Sequence, residues 1–365
     1  RKIKTLAAHL SRVVDSYAEL LRNKSKATNS LVDIIKQALF SVEYRLNAHE
    51  IEIIDEFSEY KGNVDLLTKS SVKVHRLNGS MLLKTIRIRE LLKESHTDVL
   101  LNYLTMPDLL GSFLGKRLKI SVYNGIRNSR LPRSKMLIEK WAHNHWATAT
   151  IYNCYSGADY FEKFGFRKDK NIVIPNCFPD IAEPIIRDNH SQRTIITVGR
   201  FDPQKDYETL IKSISLLDRK DYRLCIVGYG VLEAQIREWV ELYGIKDRTD
   251  IHIKPNNVSE LERNADIYIS TSLFEGTSNS IMEALNWSLP VVATNVGDND
   301  HLVIDGVNGY LHPIGDVTGL TTSLCKLLDS VELRNQMGVR SNQNLRENYS
   351  MEIFEKRYLD LIEGK

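Results

Sequence analysis

At 365 residues, with an ordinary hydrophobic fraction of 42% and 26% charged residues, the chain is too long for one comfortable core and fits two α/β domains. No apolar run approaches the roughly 20 residues that cross a bilayer and no signal peptide is visible, which points to the cytoplasm or the cytoplasmic face of a membrane. The net charge of +2 conceals two unlike halves: residues 1–180 hold 29 Lys+Arg against 19 Asp+Glu, or +10, and residues 181–365 hold 20 against 28, or −8.

In chain order, Ile3, Leu6, Ala7, Leu10, Val13 and Val14, and then Leu31, Ile34, Ile35, Ala38 and Leu39, recur at helical spacing, so the chain is expected to open on helices. Strands are expected at 51–57, 72–77, 98–103, 119–123 and 149–152. Between them, residues 115–140 are densely basic: Lys116, Arg117, Lys119, Arg127, Arg130, Arg133, Lys135 and Lys140 are opposed only by Glu139. Such a face suits an anionic membrane surface or a lipid-pyrophosphate acceptor, and equally a plain solvated surface. It carries no recognisable nucleic-acid module, and no nucleic-acid partner is expected. Cys154, Cys177, Cys225 and Cys325 show neither a disulfide framework nor zinc spacing.

Pro175, Pro179 and Pro184 among polar residues mark a linker at 175–192. Beyond it, strands at 195–198, 223–227, 251–253, 267–271 and 290–293 alternate with helices at 206–217, 231–243, 258–264 and 279–287, the pattern of a doubly wound parallel sheet. A last amphipathic helix is expected near 350–363.

Two stretches of this second half carry chemistry. In IITVGRFDPQK, a β-branched strand ends at Gly199 and the following turn presents Arg200 and Lys205, two cations placed to balance a diphosphate at the C-terminal end of a strand. In FEGTSNSIME, Glu275 and Glu283 flank the start of a helix where Gly276, Thr277, Ser278 and Asn279 leave backbone N–H groups for an anion. Glu275 is then placed to accept hydrogen bonds from sugar hydroxyls and Glu283 from a ribose.

With GRFDPQKDYETLIKS, LCIVGYGVLEAQI, ADIYISTSLFEGTSNSIMEAL and PVVATNVGDNDHLVIDGVNGYL in this order, residues 194–322 resemble the retaining glycosyltransferases of family 4, in the GT-B superfamily. The resemblance implies two Rossmann-like doubly wound domains facing across a cleft: an acceptor-side domain at 1–180, joined by a returning helix at 350–365, and a nucleotide-sugar domain at 190–349. It implies a retaining, metal-independent transfer from a nucleotide-sugar, UDP being the commonest and GDP remaining open, to a saccharide or lipid-linked acceptor in polysaccharide or glycoconjugate assembly. No cofactor is expected, the nucleotide-sugar being a substrate. Retention without a carboxylate nucleophile implies attack from the face of the leaving group, with the departing phosphate taking the acceptor's proton.

Departures from the family come in the first half. Relatives open on a buried strand and a Gly-rich turn, which are expected to be missing here because Arg1 already stands within helical periodicity. Many relatives carry a His after the strand corresponding to KISVY, where this chain has Tyr123, Asn124, Gly125, Ile126, Arg127 and Asn128. By resemblance to relatives with an Arg-Asn pair there, Arg127 and Asn128 are the candidates near the reacting centre, while His143 and His145 read as packing. Gly228 and Gly230 mimic a dinucleotide fingerprint, but Glu233 stands where its third glycine belongs. Asp298, Asn299 and Asp300 look like a metal motif but read as a loop, and Asp202-Pro203 reads as turn chemistry. A nucleotide-sugar 2-epimerase and a non-catalytic nucleotide-binding partner subunit are the alternatives.

Overall fold

The computed structural model describes residues 2–6, 50–55, 73–77, 79–103, 105–127 and 131–365. The helical spacing between Ala7 and Leu39, and the candidates Asn128 and Arg130, lie outside the described residues. The chain divides into two compact units, Arg1–Pro175 with Phe354–Lys365, and Asn176–Ile353.

In the first unit, β1 (Lys2–Leu6), β2 (Glu50–Asp55), β3 (Lys73–Arg76), β4 (Val99–Tyr103), β5 (Ser121–Ile126), β6 (Ala149–Tyr152) and β7 (Asn171–Val173) form a parallel sheet in the order β3-β2-β1-β4-β5-β6-β7. Helices α1 (Met81–Glu94), α2 (Thr105–Leu118), α3 (Arg133–His145) and α4 (Tyr155–Lys163) alternate with its later strands. The expectation of a helical opening and a missing first strand is corrected at Lys2–Leu6. This segment is a strand, with Ile3 opposite Ile51 on one side and Val99 on the other. Five residues with apolar positions three apart do not distinguish the two periods, and pairing on both edges decides for the strand. β5 also runs on to Ile126, so Asn124 and Gly125 are strand residues and Arg127 is the first residue beyond it.

Successive residues of β4 face opposite layers, as the pleat requires. Leu100 packs with Ile88, Leu92, Leu114 and Val122, whereas Val99 and Leu101 pack with Ile151, Ile174, Leu361 and Ile362. The last two belong to the closing helix, Met351–Glu363.

In the second unit, β8 (Arg193–Arg200), β9 (Tyr222–Tyr229), β10 (Thr249–Ile253), β11 (Ile267–Ser270), β12 (Val291–Thr294) and β13 (Gly309–His312) form a parallel sheet ordered β10-β9-β8-β11-β12-β13. Around it lie α5 (Tyr207–Ser215), α6 (Glu233–Leu242), α7 (Val258–Arg263), α8 (Asn279–Asn286), α9 (Asn299–Leu302), α10 (Val317–Asp329) and α11 (Val331–Tyr349), followed by α12 (Met351–Glu363). β7 and β13 are short strands with no counterpart among the expected ones. Ile195, Leu224, Ile226 and Ile267 are buried on one face, and Ile196, Val227, Tyr268 and Val291 on the other. Continuous β-branched runs suit this burial on both faces. The chain steps outward from β8 to β10, then returns to β11 on the far side of β8, so the strand order reverses between β8 and β11.

The polar stretch after Pro175 is strapped to the second unit. Arg187 donates to the carbonyls of Ala265 (2.6 Å), Ser288 (2.9 Å) and Trp287 (2.7 Å), and Ala182 N–H donates to Asn286 Oδ1 at 2.7 Å. Burial lowers the Arg187 pKa to about 10. In the first unit, α12 lays Leu361 and Ile362 on the sheet, the Tyr358 and Tyr103 hydroxyls lie 3.3 Å apart, and Tyr123 donates to Leu361 O at 3.3 Å. No helix among the described residues is long and apolar enough to cross a membrane.

Candidate active site

The C-terminal ends of β8 and β11 hold most of the expected site residues. After Gly199 and Arg200, Asp202 Oδ1 accepts from Gln204 N at 3.1 Å and Pro203 opens a single 3-10 turn through Lys205. Asp206 then adopts φ +45° and caps α5 by accepting from Thr209 N at 3.3 Å. The expected turn chemistry of Asp202-Pro203 therefore has a definite effect: it reverses the backbone so that Lys205 turns back across the strand end.

A second loop, from β11 to α8, is stitched to the first. Thr271 Oγ1 donates to Lys205 O (3.0 Å) and Asp206 O (2.9 Å), Leu273 N to Gln204 O (2.8 Å), and Gln204 Nε2 to Phe274 O (2.7 Å). These bonds bring Lys205 Nζ to 2.5 Å from Glu275 Oε1, with the two side chains 16% and 10% exposed. The diphosphate cation and the sugar carboxylate of the sequence reading are thus one ion pair. Arg200 differs: its side chain is 66% exposed, and Nη2 lies 3.4 Å from Asp202 Oδ2 and 3.5 Å from Gln204 Oε1, so it can swing toward an incoming anion.

The loop after β12 supports Glu275 from behind. Gly297 has φ +58°, and a Cβ there would stand 2.3 Å from Glu275 O. Asp298 N donates to Gly276 O at 3.3 Å, and Thr277 Oγ1 to Asp298 Oδ2 at 3.0 Å. Asp298 is buried and Asp300 exposed. Ser278 occupies the N-cap position of α8 without a side-chain cap bond, its Oγ lying 3.3 Å from Ser280 Oγ. The first-turn amides beyond it, beginning at Asn279, therefore lack the side-chain acceptor that usually occupies such a position. Half-buried Glu283 lies on the same helix, and together with Glu262 it adds to burial in raising the Tyr268 phenol well above its usual range.

Gly228 and Gly230 admit close backbone contact. A Cβ on Gly228 would lie 1.8 Å from Gly199 O, and one on Gly230 2.5 Å from Phe201 O. Phe201 N donates to Tyr229 O at 2.7 Å and Leu232 N to Phe201 O at 2.9 Å, so the two strand ends lock the Arg200 turn. Spacing alone marks these glycines, but not the backbone they admit.

In the first unit, the Arg127 guanidinium carbon lies 6.0 Å from the Tyr103 ring centre. His143 is buried, with Nδ1 2.8 Å from Thr150 Oγ1 and Nε2 3.1 Å from Arg167 O, and burial lowers its pKa to about 4. It is a neutral packing residue.

Residues 181–344 match the family described as glycosyl transferases group 1. Over 171 residues the chain is 27% identical to the N-acetyl-alpha-D-glucosaminyl L-malate synthase of Bacillus anthracis, covering 47% of this chain and 45% of that protein. Over 171 residues it is 26% identical to the amylovoran biosynthesis glycosyltransferase AmsD of Erwinia amylovora, covering 47% and 48%. The chain thus spans about half the length of the curated relatives it matches. Among solved structures, Anabaena HepE in complex with UDP superimposes with a TM-score of 0.73 over 100% of this chain and 99% of that one, at 14% identity. The lipopolysaccharide outer core galactosyltransferase WaaB in its apo form gives 0.73 over 100% and 99%, at 15% identity. The fold is accordingly that of the GT-B glycosyltransferases, with two Rossmann-like domains.

Proposed function

We propose that this protein is a retaining, metal-independent glycosyltransferase that moves a hexosyl or N-acetylhexosaminyl group from a UDP-sugar to a saccharide or lipid-linked acceptor in glycoconjugate or polysaccharide assembly. The observation that carries this reading is the Lys205–Glu275 pair, seated where the strand order reverses between β8 and β11 and beside the start of α8. Open α/β sheets take their ligands at that place, and helix starts take anions. Lys205, held by Glu275, and the swinging Arg200 would meet the charge that grows on the departing diphosphate. Glu275 keeps Oε2 for a hydroxyl of the donor sugar, and Glu283 takes the ribose. Arg127, the first residue beyond β5, and Asn128 stay candidate catalytic residues on the resemblance alone. That Asp298 is buried and bonded to Thr277 while Asp300 is exposed supports leaving-group stabilisation by cations of the chain itself. Relatives that are glycosyltransferases, and a structure of the same fold holding UDP, support the donor class.

The deciding experiment incubates the protein with a panel of UDP- and GDP-sugars, in EDTA and with added Mg²⁺, and follows released nucleotide and the sugar product. Transfer from a UDP-sugar in EDTA is expected; an interconverted sugar, binding without turnover, or strict metal dependence would defeat the proposal. In the same assay Glu275→Ala should lower turnover more than nucleotide binding, while Glu283→Ala should weaken free-nucleotide binding. One charge-assisted hydrogen bond is worth about 1.5 to 3 kcal/mol, roughly 10 to 200-fold. The opposite pattern would exchange the sugar and ribose assignments.

The acceptor side is proposed to rest on an anionic membrane surface at the cytoplasmic face. Arg133, Leu137, Lys140 and Trp141 fall on one face of α3, with Leu137 68% and Trp141 46% exposed. Glu139, the lone acidic residue of the basic stretch, is 3% exposed and does not dilute that face. Replacing Arg133 and Lys140 together by Ser should weaken binding to phosphatidylserine vesicles by about 2 kcal/mol at low salt, at about 1 kcal/mol per cation. The difference should shrink as salt screens the surface. Equal vesicle binding by the two proteins at low salt would remove this face from the membrane.

A further inference from the structure

The first unit buries two carboxyl groups against each other. Asp108, in the first turn of α2, is 0% exposed, and Glu139, midway along α3, is 3% exposed. The Asp108 carboxyl faces the Glu139 carboxyl and the Gly125 backbone N–H, yet neither of its oxygens meets a donor at full hydrogen-bonding geometry. Glu139 also faces the Thr105 hydroxyl, and the cation acting on it is Lys135, which is itself exposed. Both carboxyl groups add to burial in raising the Tyr152 phenol of β6, and Asp108 acts on Tyr103 of β4, on which Arg127 acts as well. Two carboxylates buried in contact resist ionising together, and the one cation that acts on Glu139 among the described residues, Lys135, is exposed; one proton between them removes the repulsion and supplies the missing donor. Burial, with the Glu139 charge adding to it, pushes the Asp108 pKa well above the usual carboxylate range.

We propose that Asp108 and Glu139 hold a single proton between them, Asp108 O–H donating to the Glu139 carboxylate, and that this shared proton fixes the end of β5 from which Arg127 follows. Both are then positioning residues acting through the Gly125 backbone. The shared proton stands whether or not the chain transfers a sugar, and only the importance of Arg127 rests on the function proposed above.

The sign follows from linkage. Asp108 stays protonated in the folded protein at a pH where the unfolded chain ionises it, so this contribution is complete below the ordinary value of 3.8 and is lost as pH rises toward the raised one. In Asp108→Asn the amide donates to Glu139, its oxygen faces Gly125, and only Glu139, itself raised by burial, is left to titrate. Denaturant unfolding of the whole chain, followed from acid to alkaline pH, should show the wild-type folded-to-unfolded ratio falling relative to the variant by up to about tenfold per pH unit, the slope for one proton. An infrared difference spectrum should show the carbonyl band of a protonated carboxylic acid at neutral pH in wild type and none in the variant, which tests the proton even if the variant is less stable. Amide exchange at Gly125 and Ile126, corrected for intrinsic rates, should lose protection with rising pH in wild type only. Parallel unfolding curves or an absent acid band would overturn the shared proton, and identical exchange at Gly125 would overturn its positioning role.

Discussion

Lys205→Ala is expected to lower sugar transfer on the order of 100-fold or more, because it removes a preorganised donor aimed at the leaving diphosphate, an effect of about 2.7 to 4 kcal/mol. The same change should destabilise the second unit. Glu275 would keep a side chain only 10% exposed while losing the ammonium that now lies 2.5 Å away. Removing one partner of a fully buried pair costs about 3 to 5 kcal/mol, and this pair, which keeps some exposure, should fall toward the lower end of that range. Two readouts separate the effects. In Lys205→Met with Glu275→Gln, the stranded carboxylate is gone, so the denaturation midpoint should recover while activity should not. A double variant recovering both would mean that Lys205 acts only as a strut for Glu275, with no part in the chemistry. Arg200→Ala, on a side chain 66% exposed, should leave stability nearly unchanged and still slow transfer, because its weak contacts in the free protein hold little of the fold.

Gly228→Ala should be the costliest small change in the second unit. Its new methyl would stand 1.8 Å from Gly199 O and 2.7 Å from the Phe201 ring, and the first of these is backbone of the central strand, which has nowhere to retreat. Overpacking of this kind costs about 3 kcal/mol or more. For a unit of this size that is a fall of roughly 6 to 12 °C in melting temperature. Gly244→Ala is the matched control: Gly244 has φ +68° but no atom within 4 Å of an added Cβ, so only the left-handed backbone is penalised, by about 1 to 2 kcal/mol. Equal melting temperatures for the two variants would show that the close approach of β8 and β9 is not rigid. Because the displaced carbonyl precedes Arg200 directly, nucleotide affinity should fall alongside stability in Gly228→Ala and stay near wild type in Gly244→Ala.

The second unit was largely legible because its signals are local. The run from Ile195 to Gly199, the Asp-Pro turn, and the helix after Ser278 are each decided by a few neighbouring residues, through period, turn chemistry and cap preference. The same locality marks Arg200, Lys205, Glu275 and Glu283 as candidate site residues. It failed at Lys2–Leu6, where a spacing of three suits helix or strand until two partner strands are present.

What the sequence determined by itself was therefore the doubly wound character of the second half and the identities of the charged groups at its strand ends, since both follow from interactions within a turn or so of the chain. Partnership and burial were decided only by the tertiary structure. Lys205 and Glu275 are 70 residues apart, and only the parallel placement of β8 beside β11 makes them one ion pair. Glu139 reads in sequence as a solvated charge opposing eight cations, yet packing of α2 on α3 takes it out of water and sets it against Asp108. The physical reason is common to both: charge and periodicity are properties of the residues and their near neighbours, whereas desolvation and the choice of partner depend on which distant segments the sheet order brings together.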